Sequence, residues 1–391
     1  MLYEIVRYGW IIFQIIIGYN LIIPLIILFI CTIRKSGTEK LISKDGEGDY
    51  GIIVTAYEQT DFLLSVINSL LKLNYNNYLI YIVADKCDVS NLHFEDGRVI
   101  LLRPETILAS NTRSHFYAIQ RFRRDHDYIT IIDSDNLVHP EYLSELEVFF
   151  KKGYTAVQGL REAKNLDTSY ANLDAARDIY YHFYDGKMLF GAGSSATLAG
   201  SGMAFTTQLY RDCLEQKDIT GAGFDKVLQY EIVKRDLRIA FAEKAIVYDE
   251  KTSVPDQLVK QRARWINTWF KYCGYGIALL EKGIRNFSLN QFLFGIILLR
   301  PPLFIFLVMT CLCILINIWI SLSAVLIWCA ALCCFLLSFA IAIVRPGTDQ
   351  RIYKSLINIP AFIFYQIISL LKSRTANKKS VATKHLYKSE F

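Results

Sequence analysis

The sequence lacks the short motifs of several large enzyme and binding classes. No Gly-x-Gly-x-x-Gly turn follows its first predicted strand and no Walker-type lysine loop is present, which argues against a dinucleotide fold and a P-loop nucleotide site. The six histidines are scattered, and none of the nine cysteines has metal-ligand spacing with a histidine, which argues against a zinc site. The polar middle of the chain has no basic patch interleaved with aromatic residues. The net charge of +6 is therefore no argument for nucleic-acid binding.

Charge is also missing from long stretches of the chain. Residues 8–33 carry no charge and are enough to span a bilayer, and the run is too long for a cleaved signal peptide and lacks its small-residue exit. A second apolar region covers residues 291–344, and six of the cysteines lie in these apolar segments, as is usual for small apolar residues in a reduced setting. There we predict an approach segment and two spans, at 289–299, 302–320 and 323–344. A third stretch, Ile357 to Leu371, is shorter and contains Pro360, so a short span and an interfacial helix both stay open.

Basic residues predict the orientation. Arg34, Lys35 and Lys40 follow the first span, against Arg7 before it, so the polar domain should be cytoplasmic. The tail carries further basic residues, namely Lys372, Arg374, Lys378, Lys379, Lys384 and Lys388. A cytoplasmic tail requires an even number of crossings after the domain, which places 357–371 in the interface. We therefore predict a multi-pass protein of the inner or plasma membrane, with the lipid bilayer as a partner. Its parts are an N-terminal transmembrane helix (1–40), a cytoplasmic domain with an interfacial helix (41–285), and C-terminal helices with a basic tail (286–391).

The polar domain alternates short β-branched runs with segments of helical periodicity. We predict four strands, at 50–57, 78–84, 99–102 and 128–132, and helices at 58–71 and 114–122. This alternation is typical of an α/β domain with a mostly parallel sheet.

Acidic residues stand where the predicted strands end. Asp85 follows the second strand, and Asp133 and Asp135 follow the fourth. Ligands of such sheets bind beyond the carboxyl ends of the strands. Paired carboxylates there suit a hard divalent cation, which can in turn hold a diphosphate. Alone, Asp-x-Asp is a weak signal, because a solvated turn has the same composition.

Two later segments strengthen that signal. Gly221-Ala-Gly-Phe-Asp225-Lys226 is a glycine-rich turn that places Asp225 at the start of a helix predicted over Val227 to Lys234. The helix N-terminus stabilises its carboxylate form, and a simple helix cap is the alternative. Gln261-Arg-Ala-Arg264-Trp265 lies in an aromatic segment just before the membrane spans, where an interfacial anchor is the alternative.

This set of motifs, in this order, resembles the membrane-embedded family 2 glycosyltransferases, the group of the cellulose, chitin and hyaluronan synthases. The resemblance covers about residues 50–270 and the flanking spans, and its most specific part is Gln261-x-x-Arg264-Trp265 after the other acidic motifs. Gln158 with Asn165, and the segment Leu198-Ala-Gly-Ser-Gly-Met203, which looks like the acceptor-side glycine loop of the family, support it. The resemblance implies a GT-A-type cytoplasmic domain.

Three departures from the family pattern leave the sugar and the acceptor open. Asp85 is followed by Lys86 instead of a second aspartate and a glycine. Phe224 stands where an acidic residue commonly precedes the equivalent of Asp225, and Arg113 is only a loose substitute for a Gly-Lys pair.

The resemblance also implies roles for individual residues. Asp133 and Asp135 would bind Mg²⁺ or Mn²⁺, and Asp225 would be the general base of a single, inverting displacement. The donor, a nucleotide sugar and most simply a UDP-sugar, would be bound by Asp85, Asp133, Arg113, Gln261 and Arg264. Gly202 and Trp265 would line the acceptor site.

Several functions fit these roles. The Gln-x-x-Arg-Trp segment favours processive synthesis of a polysaccharide with export, which would require a homo-oligomer or an export partner because two or three C-terminal spans are few for a channel. The alternatives are a non-processive enzyme that adds one sugar to a lipid-linked acceptor and, from another class, a catalytically silent membrane scaffold. A nucleotidyl- or phosphotransferase is disfavoured, because no basic loop for a triphosphate accompanies the acidic residues.

Overall fold

The computed structural model describes residues 1–34, 46–345 and 347–376. Lys35, Lys40, the predicted boundary between 40 and 41, and the tail lysines from Lys378 onward lie outside these residues. In chain order the elements are α1 (Leu2–Ile33), β1 (Tyr50–Tyr57), α2 (Leu63–Leu71), β2 (Tyr78–Asp85), β3 (Val99–Leu102), α3 (Asn111–Ile119), β4 (Tyr128–Asp133), β5 (Leu137–Val138), α4 (Tyr142–Lys151), β6 (Ala156–Ala163), α5 (Ser169–Tyr181), a π-helix (His182–Met188), α6 (Leu189–Gly191), β7 (Met203–Thr206), α7 (Thr207–Leu214), α8 (Phe224–Lys234), β8 (Ile239–Asp249), α9 (Pro255–Tyr272), α10 (Gly274–Arg285), α11 (Leu289–Leu299), α12 (Leu303–Ile320), α13 (Leu322–Ile343), α14 (Gln350–Ser355), a 3₁₀ turn (Leu356–Asn358), α15 (Ile359–Lys372) and a last 3₁₀ turn (Ser373–Thr375).

The strands form one mixed sheet in the order β3-β2-β1-β4-β7-β6-β8-β5. The first four strands are parallel, as predicted, and β7 runs antiparallel between β4 and β6. Tyr57 on β1 lies opposite Asp85 on β2, and Thr55 lies opposite Asp133 on β4. The chain order reverses between β1 and β4, so Asp133 ends a strand at the switch point where ligands of open α/β sheets bind.

Three helices begin elsewhere than predicted, each for a local reason. Helix α2 begins at Leu63 instead of Glu58. Glu58 has a φ of +60°, which no helical residue adopts, and its carboxylate pairs with Lys86 at 2.6 Å. Helix α3 begins at Asn111 because the Ser110 hydroxyl caps it. Helix α8 begins at Phe224, three residues early, because the left-handed Gly223 forms its N-cap.

The two faces of the sheet bury different partners. On one face the β-branched residues of β1 and β2 pack against α2 and α4. On the other face the apolar core continues through the π-helix and α6, where Tyr184 and Leu189 share a cluster with Ile17 of α1 and Phe306 of α12. The domain and the membrane-side helices therefore have one common core, which fixes the sheet relative to the bilayer segments.

Among the described residues, four stretches are long and apolar enough to cross a membrane, judged by length and composition: Glu4–Ile33, Leu303–Ile320, Leu322–Ile343 and Gln350–Thr375. The first three coincide with the predicted spans. Their helices contact one another, and Gln14 accepts hydrogen bonds from Asn317 at 2.6 Å and Trp328 at 2.7 Å. The fourth is longer than predicted because α14 extends it. Its helix α15 packs on α9, with Phe362 against Leu173 and Leu258.

Candidate active site

The Asp133–Asp135 loop leaves the sheet at the end of β4 and is tied to the glycine loop. The Asp133 amide donates to the Ser201 hydroxyl at 3.1 Å, and the Asn136 side chain donates to the same oxygen at 2.8 Å. Asp135 is 9% exposed, and its carbonyl accepts a hydrogen bond from the Lys164 ammonium at 3.3 Å. Burial lowers the pKa of Lys164, and the negative charge of Asp135 acts against that change. A cation therefore stands behind this acidic loop.

The carboxylates of Asp133 and Asp135 suit a metal ion whose remaining ligands come from a bound substrate and from water. In the described part of the chain no three His, Cys, Asp or Glu side chains gather in a way that could hold a metal ion. A complete cage of protein ligands is thus not the fitting arrangement. Mg²⁺ is commonly held by one or two carboxylates, with substrate phosphates and water completing the shell. Asp133 and Asp135 match that donor set.

The glycine loop is held by Gln158 on β6. The Gln158 amide donates to the carbonyls of Ser201 at 3.2 Å and Gly202 at 3.3 Å, and its oxygen accepts from Ala199 at 2.9 Å. Gly202 has a φ of +69°, and its amide donates to Ile131 of β4 at 2.9 Å. A Cβ at Gly202 would lie 3.1 Å from Val247. The loop thus lies directly against the strand that carries Asp133.

Asp225 lies beside the same loop. It is the second residue of α8, and its carboxylate pairs with Lys226 at 3.0 Å. The Lys226 ammonium also donates to the Leu198 carbonyl at 3.1 Å, so one side chain links Asp225 to the start of the glycine loop. Gly223 before it lies against α9, where an added Cβ would come within 2.5 Å of Tyr272. The turn that carries Asp225 is therefore fixed from two sides.

Asp85 and Arg113 meet at a different loop. The buried Asp85 carboxylate accepts hydrogen bonds from the amides of Leu108 at 3.0 Å and Ala109 at 2.7 Å. Arg113 donates to the Leu108 carbonyl at 3.4 Å and forms a bidentate pair with the exposed Asp218 at 2.8 and 2.5 Å. Both predicted nucleotide-binding residues thus hold the 108–109 turn next to the edge of β2.

The Gln261–Trp265 segment lies on α9. Gln261 accepts a hydrogen bond from Thr252 at 3.0 Å, and the half-buried Arg264 has a pKa lowered by burial. The indole of Trp265 is covered by two guanidinium groups, with that of Arg262 at 4.0 Å and that of Arg177 at 4.5 Å from the ring centroid. The indole of Trp265 therefore already has two arginine side chains stacked on it within the protein.

The motifs did not reveal a chain of buried charges beside the site. Its members alternate in sign: Arg161, Asp249, Lys251, Asp178, Arg177, Asp174 and Arg262. Asp249 ends β8 and obeys the same strand-end rule as Asp85, so sequence reasoning could have found it. Burial alone would raise the pKa of Asp249, but Arg161 and Lys251 outweigh it and hold that pKa below its usual range. Asp174 and Asp178 lie within α5 and not at a strand end, so the sequence gives no comparable indication of their role.

Comparison with known proteins adds the family. The sequence profile described as "Glycosyltransferase like family 2" matches residues 48–268, more than half of the chain. A mannosyltransferase from Pyrobaculum calidifontis, PcManGT, solved in complex with GDP-Man and Mn²⁺, superimposes with a TM-score of 0.52 at 12% identity, covering 94% of this chain and 98% of that one. S. aureus TarS 1–349 gives a TM-score of 0.40 at 16% identity, covering 84% and 90% of the two chains. No curated protein sequence matches the chain.

Proposed function

The chain belongs to the glycosyltransferase-like family 2 and has a GT-A-like fold, and from this premise we propose that it is a membrane-bound, metal-dependent, inverting glycosyltransferase. It would transfer a sugar from a nucleotide-sugar donor, most simply a UDP-sugar, to a growing polysaccharide. The main support is one juxtaposition. Ser201 ties the Asp133–Asp135 loop to the glycine loop, and Lys226 ties the same loop to Asp225. The proposed metal site, the proposed acceptor loop and the candidate base thus share one edge of the sheet.

Donor binding would use the carboxylates and α9. When bound, Mg²⁺ or Mn²⁺ neutralises the charge that develops on a departing diphosphate. Asp133 and Asp135 would hold that ion, and the forked guanidinium of Arg264 would bind the diphosphate. Asp85 and Arg113 would position the nucleotide through the 108–109 turn that both contact, with Gln261 on the α9 side. PcManGT binds GDP-Man and Mn²⁺ on a similar fold.

Asp225 would accept the proton of the acceptor hydroxyl. As that oxygen attacks the anomeric carbon from the face opposite the diphosphate, the configuration of the sugar inverts. Lys226 keeps the carboxylate next to the glycine loop, where Gly202 would leave room for the acceptor and Trp265 would form its far wall.

We place the catalytic domain (41–285) in the cytoplasm, between the N-terminal helix (1–40) and the C-terminal helices (286–391). The packing of α15 on α9 supports an interfacial position for residues 357–371, because α9 belongs to the catalytic domain. The tail would then be cytoplasmic as well.

A second candidate function is the single addition of a sugar to a lipid-linked acceptor. The observation that favours it is the direct contact among α1, α12 and α13 within the described chain, where Asn317 and Trp328 both donate hydrogen bonds to the side-chain oxygen of Gln14. Such a packed trio suits a membrane anchor, whereas polymer export would require an oligomer or a partner.

One experiment tests these proposals together. Purified protein is incubated with UDP- and GDP-sugars, with Mg²⁺ or Mn²⁺, and with polysaccharide or lipid-linked acceptors, and the products are sized. A long ladder supports processive synthesis, and a single added sugar supports the second candidate. If no donor is consumed with any acceptor, while matched samples of an active family 2 enzyme do consume it, the chain is a scaffold and the proposal is wrong.

A further inference from the structure

The alternating charge chain joins the two halves of the proposed site. At one end Arg161 pairs with Asp249 at 2.5 Å and interacts electrostatically with Asp133. Lys251 then bridges Asp249 at 2.8 Å and Asp178 at 2.6 Å. At the other end Asp178 pairs with Arg177, and Asp174 pairs with Arg262 on α9. The chain thus runs from the edge of the metal loop to the Gln261–Trp265 segment.

Among the carboxylates of this row of alternating charges, Asp174 is the one that bonds to α9. It is 3% exposed, and it pairs with Arg262 and, at 3.5 Å, with the Nε of Arg177. These are the two guanidinium groups that lie over the indole of Trp265. One buried negative charge therefore sits between the two cations that cover the tryptophan.

Asp174 pairs with both arginines, whereas the neighbouring Asp178 pairs with only one of them, Arg177. Burial and the positive charge of Arg177 together lower the pKa of Arg262 to about 10, although the negative charges of Asp174 and Asp178 act against that change. The Nε and Nη1 of Arg262 and the Nε of Arg177 are buried without hydrogen-bond partners in the described structure. Two like charges with unsatisfied donors repel each other unless a counter-ion stands between them.

We propose that Asp174 is a positioning residue for the acceptor, because it holds Arg262 and Arg177 against Trp265 and thereby sets the place of the indole. The proposal rests on the proposed function in taking Trp265 as the acceptor wall. The donor is held elsewhere, by the metal loop and Arg264. A substitution of Asp174 should therefore weaken the binding of the acceptor more than the binding of the donor.

The test begins with Asp174→Asn, which keeps the size of the side chain and removes its charge. The KM for the acceptor should rise by roughly 10- to 100-fold, the loss expected when a site residue is displaced by about 1 Å. The KM for the donor should stay within roughly twofold, since its proposed ligands are untouched. In a Trp265→Phe background the same substitution should add little, because both changes then act on one element.

A matched control is Asp185→Asn. Asp185 is also a buried aspartate in an ion pair, but its partner is a single arginine, Arg300, and it lies on the π-helix instead of beside α9. It should lower the melting temperature without separating the two KM values. If Asp174→Asn does not yield folded protein, Arg262→Lys takes its place, because it keeps the charge beside Asp174 and loses the flat group over the indole.

A second readout does not depend on activity. For the unchanged protein and for each variant, the signal of Trp265 is the fluorescence of that protein minus the fluorescence of the same protein with Trp265→Phe. Acrylamide should quench this signal more strongly in Asp174→Asn and equally in Asp185→Asn. Equal quenching in all three, equal changes in both KM values, or full additivity with Trp265→Phe would each overturn the inference. Failure of the unchanged protein to transfer any sugar would instead refute the proposed function and leave the quenching result to decide this one.

Discussion

Replacing Asp225 with asparagine removes the proposed proton acceptor and changes little else. Asparagine keeps the size of the side chain in the first turn of α8, and Gly223 still forms the N-cap. What is lost is the ion pair with Lys226, whose side chain is 35% exposed, together with the favourable charge at the helix N-terminus. Each of these contributes about 1 kcal/mol or less to stability. The protein should therefore fold, with at most a small fall in melting temperature.

The effect on transfer should be much larger. Loss of a general base lowers the rate by roughly 10²–10⁴-fold, which corresponds to about 3–5 kcal/mol of transition-state stabilisation. Donor binding should survive, because Asp133, Asp135 and Arg264 are unchanged. Substitution of Arg264 by alanine should behave differently and weaken both donor binding and turnover, since its proposed partner is the diphosphate.

The assay is the initial rate of sugar transfer at saturating donor, with donor affinity measured separately by titration. Glu231→Gln is the matched control, because Glu231 lies on the same helix, six residues or about 9 Å further along, and pairs with Lys217 and Arg235 instead. It should retain nearly full transfer. Near-normal transfer by Asp225→Asn would show that Asp225 serves only the helix terminus, and Glu231 and Asp236 would become the next candidates for the base.

Four further predictions test the metal, the topology, the acid sensitivity and the turn before α8. Asp135→Asn should abolish transfer and weaken nucleotide binding without unfolding the protein, and unchanged activity in the presence of a chelator would contradict a metal site. A cysteine engineered after Lys372 should not be labelled from outside intact cells, and labelling there would mean that 357–371 crosses the bilayer. Burial lowers the pKa of His115 to about 3, so between about pH 6.5 and pH 3 the unfolded chain binds more protons than the folded one, and stability should fall as the pH falls, by up to about 1.4 kcal/mol per pH unit. Denaturant titration measures this slope, and His115→Gln should reduce it. Gly223→Ala should lower both transfer and melting temperature, whereas Gly347→Ala, at a similar φ of +92° but with no atom of the described residues within 4 Å of the added Cβ, should lower neither as much.

Local patterns were sufficient to predict the strands that carry Asp85 and Asp133, but not β6, β7 and β8. The runs at 50–57 and 128–132 became β1 and β4, because β-branched residues at a buried sheet centre have little alternative. The position of Asp133 follows from the same rule, since a parallel strand delivers its last residue to the ligand edge. Helix starts were less predictable. A left-handed residue such as Gly223 or Glu58 sets them, and its φ depends on contacts that the sequence does not display.

Long-range pairs could not be predicted at all. Asp218 pairs with Arg113 from 105 residues away, and Asp174 pairs with Arg262 from 88 residues away. Neither separation in sequence follows the repeat of a helix or a strand, and each partner alone resembles an ordinary surface charge. Asp85 illustrates the same limit, because the sequence indicated a carboxylate at a strand end but not that the amides of Leu108 and Ala109 would bind it.

The buried charges also bear on why α9 is held as it is. An ion pair taken out of water is commonly no more stabilising than well-packed apolar residues of the same volume, so Arg262 and Asp174 are poor choices if stability alone matters. Apolar contacts already attach the outer side of α9, where Leu258 meets Phe362 of α15, and Tyr272 packs against Gly223. What charged partners add is a defined orientation, because a hydrogen-bonded guanidinium permits fewer arrangements than an apolar contact does. In this fold the orientation concerned is that of the Trp265 indole, because the guanidinium groups of Arg262 and Arg177 cover that ring and Asp174 pairs with both of them.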